Sequence, residues 1–524
     1  MSENNENLQY NSCTSKGICS VNPRTFALQN VLGLYMRMCA KYCIKLAEKD
    51  VLDQNIKDFM LNAIAISVVN PEFTEICFMK TILKLKEFLP KLISTYNSLY
   101  DENDFVGEDI VESDIFHKCE DIVGAIKFGE SIFRNYISTI PSNIRDLFKI
   151  MMIVAKSISI NILDIQSYDI SEKEGFLTLL NLLNAININN HDVDELKNII
   201  YTASECNTEL MEKLHEEQEK RYGRQTKAKI SYTTTPSKVI LVVGSNIREL
   251  EIVLEAVKSE NIDVYTHDDM MVAHTFPKFS EYKHLKGQYG HGLENCLIDF
   301  ATFPGPIILT KHSLHNIESL YRGRLYTTDI NFYKGVIKIE SDDYSEVIKS
   351  AFEAKGFKTG KTCETVLVGY DFDECTELIE KSIHSGRYKK IVVIGLKDYS
   401  ASQKNYFEKL IKHISDEVLI ISFSYEYKRD NVLFFNTCFD SFAIVRIVKY
   451  LLKYEIPLEI FLPKCSRNTI TEMIHFSKFN QNNVYMGECE PIMINPSLMN
   501  TLRNIFNIKR TGSVKKDYER INEL

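Results

Sequence analysis

The chain has 524 residues, 44% of them hydrophobic and 25% charged, with a formal net charge of -9. That balance is the one expected of an ordinary soluble globular protein, and the net negative charge excludes general nucleic-acid binding, which relies on clustered Lys and Arg. The length implies about three or four domains; no apolar run reaches membrane-spanning length and the polar first thirty residues carry no secretory signal, so a cytoplasmic protein with no membrane partner is expected.

From about Thr25 to Glu216 the pattern is helical. Phe26 to Leu46 and Ile144 to Leu163 carry apolar residues at i, i+3, i+4 and i+7, which lines one face of a helix. Asn22-Pro23 ahead of the first segment has the form of a helix start. The stretch His215 to Ser237, charged and then rich in Thr and Ser, reads as a linker after a helix, with His215 to Lys229 a solvated face.

Beyond Pro236 the period changes. Val239 to Val243 is a β-branched run stopped by Gly244 and followed by a helical pattern from Arg248 to Glu260. Short strands follow at Asp263 to Thr266, Pro306 to Leu309 and Val336 to Ile339. A further block repeats the alternation with strands at Thr365 to Gly369, Lys390 to Gly395 and Glu417 to Ile421. Strands alternating with helices predict parallel sheets, with sites at their carboxyl ends. The expected fold class is multidomain α/β: an all-α helical domain over 1–235, then two doubly wound parallel α/β (Rossmann-like) domains over 236–362 and 363–524.

Thirteen cysteines in a long chain of this kind predict reduced thiols rather than a disulfide framework. Taken singly, each reads first as a small buried hydrophobe.

Three segments carry more. Val264 to Pro277, Lys283 to Gly290 and Ala301 to Leu309 stand in an order and at a spacing that resembles the middle domain of the hybrid-cluster (prismane) proteins. Those proteins are relatives of the anaerobic nickel carbon monoxide dehydrogenases and are associated with reduction of hydroxylamine and nitric oxide. Cys13 to Cys19 leading into Ala27-Leu28-Gln29-Asn30, Arg324 to Thr328, Thr437 to Ala443 and Asn504 to Lys509 are similar to further family segments in the same order. The resemblance thus spans nearly the whole chain. It implies the same three-domain architecture, with a large cluster where the domains meet.

At the ligand positions the chain departs from the family. A small cubane in the family takes four cysteines near the amino terminus; here Cys13 and Cys19 are present and no cysteine precedes them. Cys39 and Cys43 lie i,i+4 on a predicted helix, up to ~30 Å further along it, whereas a cubane needs all its sulfurs around one cluster. The family's hybrid cluster is held by a His, two Glu and four Cys. The resemblance sets the His on Ser245, the Glu on Asp269 and Ser466, and the Cys on Ser313, Leu396, Ser424 and Cys438. Only Cys438 keeps its identity. Neutral hydroxyls and a hydrocarbon replace thiolate and imidazole poorly.

Six of the twelve histidines fall between His267 and His315, and a mononuclear metal on His312, Asp269 and Cys438 is one reading. Hydrogen-bonded structural histidines are the plainer one. Gly244-Ser245-Asn246 after a strand lacks the other glycines of a phosphate loop and reads as an ordinary turn. Ser313, His312 and Asp269 lack the Gly-x-Ser-x-Gly elbow of a hydrolase. Leu396 and Tyr425 read as filling for the space a cluster would occupy. The expectation is a hybrid-cluster-like pseudoenzyme without cofactor, acting in binding, assembly or regulation, its partner unspecified and a homo-oligomer open. The alternative is an oxidoreductase with an iron-sulfur or mononuclear metal centre.

Overall fold

The computed structural model describes residues 23–67, 74–100, 119–186, 191–290, 296–312, 320–329, 335–396, 401–437, 440–464, 468–479, 482–487 and 496–523. These divide into two compact units, the first drawn from Met1–Leu210 and Ile492–Ile505, the second from Met211–Asp329, Gly335–Pro491 and Phe506–Leu524. Among the described residues no helix is long and apolar enough to cross a membrane.

The first unit is helical. Pro23–Glu48 is its central element and buries Leu28, Val31, Leu32, Tyr35, Met36, Cys39 and Cys43, so a heptad-like stripe becomes a nearly all-round core helix. Around it stand Gln54–Ile66, Glu75–Asn97, Ile122–Asn135, Ser142–Gln166 and Glu174–Ala185. Asp53, Thr74 and Asp121 cap three of these by accepting from backbone N–H groups of the first turn, satisfying donors that no carbonyl reaches. One close approach depends on a missing side chain: a Cβ on Gly129 would lie 1.9 Å from the Ala27 carbonyl oxygen. Two buried polar groups show how polar atoms are paired inside this unit. Asn161 donates to Asn207 across 2.9 Å, and the Asp146 carboxylate accepts from Lys149 at 3.1 Å, from Ser497 and from Thr501 at 3.4 Å.

The second unit holds two six-stranded sheets, parallel throughout. The first runs β4(Leu285–Gln288), β3(Ile262–His267), β2(Lys238–Val243), β5(Ile307–Leu309), β6(Leu325–Thr327), β7(Ile337–Lys338) in spatial order. The second runs β11(Val432–Phe434), β10(Val418–Ser422), β9(Lys390–Ile394), β12(Leu458–Leu462), β13(Asn482–Met486), β14(Ile508–Arg510). Central strands covered on both faces read as unbroken apolar runs, and Val239 to Val243 and Ile391 to Ile394 are fully buried. A fold of one helical region followed by two parallel α/β domains is therefore present.

Three details differ from the sequence reading. The segment taken as a linker from His215 is helix as far as Tyr222, because Val193–Tyr222 continues without a break. Its charged run is not a solvated face throughout: His215 and Tyr222 are buried, His215 packing at 4.7 Å on the Phe442 ring. Glu251, also buried, accepts hydrogen bonds from Arg221, Tyr222, Arg248 and Lys278 at 2.6–3.0 Å. Burial opposes charge on this carboxyl, but the donors outweigh it and hold the pKa at about 2. Finally, Thr365–Val368, expected to open the last sheet, is β8 and pairs antiparallel with β1(Ala228–Ser231) in a separate ribbon. Bridges at Thr234–Lys361 and Ser237–Phe357 extend that ribbon, so it brackets the first parallel sheet in the chain.

Candidate functional site

In parallel α/β sheets the loops at the carboxyl ends of the strands carry the chemistry, and the positions singled out from sequence lie in such loops. After β2 the chain turns at Gly244 and Ser245, whose side chain is exposed. Asn246 then caps the helix Ile247–Ala256, accepting from the Glu249 N–H at 3.0 Å. This is a strand-to-helix turn, as read from sequence.

After β3 comes a short 3-10 segment, Asp268–Thr275. His267 is buried, its Nε2 lying 3.0 Å from the Asp299 carboxylate. The chain passes tightly over that carboxylate at Gly290, with φ of +79°, where a Cβ would meet Asp299 Oδ2 at 2.2 Å. Asp268 adopts a left-handed conformation, φ 55°. Asp269 follows, and its carboxylate accepts from the ammonium of Lys464, which lies just after β12.

After β5, His312 is also left-handed, φ 61°. Its backbone N–H donates to Asp329 Oδ2 at 3.0 Å, and its Nδ1 stands 3.8 Å from the same oxygen. The neighbouring Lys311 donates its N–H to Glu249 Oε2 at 3.0 Å, with its ammonium 3.4 Å from Oε1. Thr328 donates to that oxygen at 2.6 Å. Burial raises the pKa of the Glu249 carboxyl, with Lys311 and Thr328 acting against it.

After β9, Leu396 is 3% exposed. After β10, the Ser424 hydroxyl donates to the Gly395 carbonyl, and Tyr425 is buried with its ring stacked on Phe407 at 5.3 Å. Cys13, Cys19, Ser313, Cys438 and Ser466 lie outside the described residues.

Four of the six clustered histidines are described, and each is engaged by protein groups. Besides His267 and His312, His274 lies 2.8 Å from the Thr266 hydroxyl and His284 is 2.9 Å from the Leu254 carbonyl. Burial holds the His274 imidazole down at about 4, so it is neutral at neutral pH. Among the described residues no three His, Cys, Asp or Glu side chains are grouped to hold a metal. Of the seven positions that the resemblance sets at the hybrid cluster, the four described offer two hydroxyls, one carboxylate already paired with an ammonium, and a hydrocarbon. Thiolate or imidazole is what an iron-sulfur centre requires, so these four do not fit one.

Sequence reading missed Lys464, Lys311, Glu249, Asp299 and Asp329. Only Glu249 left a local signal, the Asn-x-x-Glu spacing of a capping box. Its carboxylate turns instead to Lys311 and Thr328.

Comparison with known proteins agrees with the segment order. The Prismane/CO dehydrogenase family model matches residues 7–424. Similar proteins include a "Hydroxylamine reductase" from Thermodesulfovibrio yellowstonii, 24% identical over 98% of both chains. Another, from Methanocella arvoryzae, is 22% identical over 97% of both, and one from Acidiphilium cryptum is 23% identical over 96% of this chain and 94% of its own. Among solved structures, an alpha subunit of acetyl-CoA synthase/carbon monoxide dehydrogenase aligns with a TM-score of 0.48 at 10% identity, over 97% of this chain and 83% of its own. A carbon monoxide dehydrogenase from Thermococcus sp. AM4 aligns with 0.46 at 14% identity, over 98% and 87%. With the family model covering most of its length, this chain belongs to the Prismane/CO dehydrogenase family.

Proposed function

We propose that this protein keeps the family's three-domain shell without its clusters and serves as a non-catalytic binding, assembly or regulatory protein. The domain limits proposed are 1–235, 236–362 and 363–524. Ser245, Asp269, Ser313, Leu396, Ser424, Cys438 and Ser466 stand at the former hybrid-cluster positions, and Cys13 and Cys19 at former positions of the small cluster. The observation that carries this reading is the chemistry of the described positions: Leu396 is buried and has no donor atom, and Asp269 is already neutralised by Lys464. A reducing, cytoplasmic setting is part of the proposal and accords with the eight free thiols among the described residues.

A second reading is favoured by the curated relatives, which are hydroxylamine reductases: an oxidoreductase acting on hydroxylamine or nitric oxide through a remodelled metal centre that would draw on His312, Asp269 and Cys438. Purification without oxygen, followed by iron and acid-labile sulfide analysis and a visible spectrum, separates the two. Colourless protein without stoichiometric iron or sulfide is expected. Brown protein with several irons per chain and turnover of hydroxylamine overturns the first reading in favour of the second.

A further inference from the structure

Two carboxylates, Asp269 after β3 and Glu249 in the first turn of the helix after β2, each have a lysine ammonium beside them. Asp269 follows β3, and Lys464, reaching it from the end of β12 in the other sheet, is 14% exposed at its side chain against 32% for Asp269. The arrangement recurs at Glu249, approached by the Lys311 ammonium at 3.4 Å and by its backbone N–H at 3.0 Å. Both lysines stand two residues ahead of a serine at a former ligand position, in Lys311-His312-Ser313 and Lys464-Cys465-Ser466.

A carboxylate removed from water needs a compensating charge, which a metal ion or a protein cation can supply. The two compete for the same oxygen lone pairs. A cation binding Asp269 from solution must first displace the largely buried Lys464 ammonium from it. A lysine fixed by its own strand is present at an effective concentration that a dilute ion does not match.

We propose that Lys464 is a resident counter-ion that excludes metal from Asp269 and ties the end of β3 to the end of β12. This deepens, and rests on, the cluster-free reading above. It makes the loss of cluster chemistry a built feature, in which a covalently attached cation has taken over one carboxylate of the former site.

The test uses the full chain as wild type, Lys464→Met, Asp269→Asn and the double variant, with thermal unfolding recorded with and without excess Mn²⁺, a cation suited to carboxylate oxygen. Without Mn²⁺ each single variant is expected to lower the melting midpoint by about 2–4 °C, and the double variant by less than the sum, the signature of coupled partners. Mn²⁺ is expected to raise the midpoint of Lys464→Met and to leave wild type and the double variant unchanged. Additive losses, or an equal Mn²⁺ response in wild type and Lys464→Met, overturn the proposal. Iron and sulfide in anaerobically purified wild type would instead overturn the cluster-free reading on which it rests, and that readout is independent of the variants.

Discussion

At the scale of single residues, burial moves one helix carboxyl far from its behaviour in water. Glu472, in the helix Thr469–Ser477, is 2% exposed. Burial, with the nearby charge of Asp440 adding to it, pushes its pKa up to about 8. Its unfolded value is about 4.3, so between those limits the folded chain holds a proton that the unfolded chain has released. Stability therefore falls as pH rises through that window. The substitution Glu472→Gln removes the titration while keeping the shape. It should leave a melting midpoint that varies less between about pH 4.5 and 8, with the largest gain over wild type at the upper end. Calorimetry across that range checks this, and parallel pH profiles for the two proteins would refute it. None of this was legible beforehand, because Glu472 sits in an ordinary helical pattern and its burial is set by the packing of the sheet.

Elements were more legible than residues, and the reasons for success and failure are physical. The long helices Pro23–Glu48 and Ser142–Gln166 announced themselves because twenty or more residues of consistent period leave little room for another reading. The β-branched runs of β2, β9 and β10 did the same. The strands β6, β11 and β14 have three residues each, too few to show any period. The antiparallel pairing of β1 with β8 joins segments some 137 positions apart, Ala228 to Thr365 in the register Ala228–Val368 through Ser231–Thr365, and local pattern is blind to such distances. The same limit hid Lys464, whose partner Asp269 is 195 positions away; the loops after β2, β3, β5, β9 and β10 were marked by the strands before them, whereas the one holding Lys464 follows β12, which was not foreseen. Helix contacts yield a prediction at this scale. Gly129→Ala places a methyl against the Ala27 carbonyl, where backbone must move to admit it. Overpacking of this kind costs about 1–3 kcal/mol, to be measured by urea unfolding. A neutral outcome would mean that the helices Pro23–Glu48 and Ile122–Asn135 separate freely.

For the molecule as a whole, family membership and the proposed function point in different directions. Overall similarity is carried by the segments that build the sheets and their turns, whereas catalysis in such a family depends on a few donor atoms, and a fold outlasts the site it hosts. Under the cluster-free proposal the protein rests on side chains alone and should be indifferent to air. Melting midpoint and visible spectrum are expected to be the same for anaerobic samples before and after exposure to oxygen. A bleached chromophore or a fall in midpoint on exposure would count against a shell free of clusters.

The ribbon of β1 and β8 has a consequence for how this architecture could change over time. The chain enters and leaves the Thr234–Lys361 stretch side by side, hydrogen-bonded across the neck. Topologically the whole first sheet is an excursion from a single doorway. Such a module can be lengthened, trimmed or exchanged without rerouting the strands on either side of it.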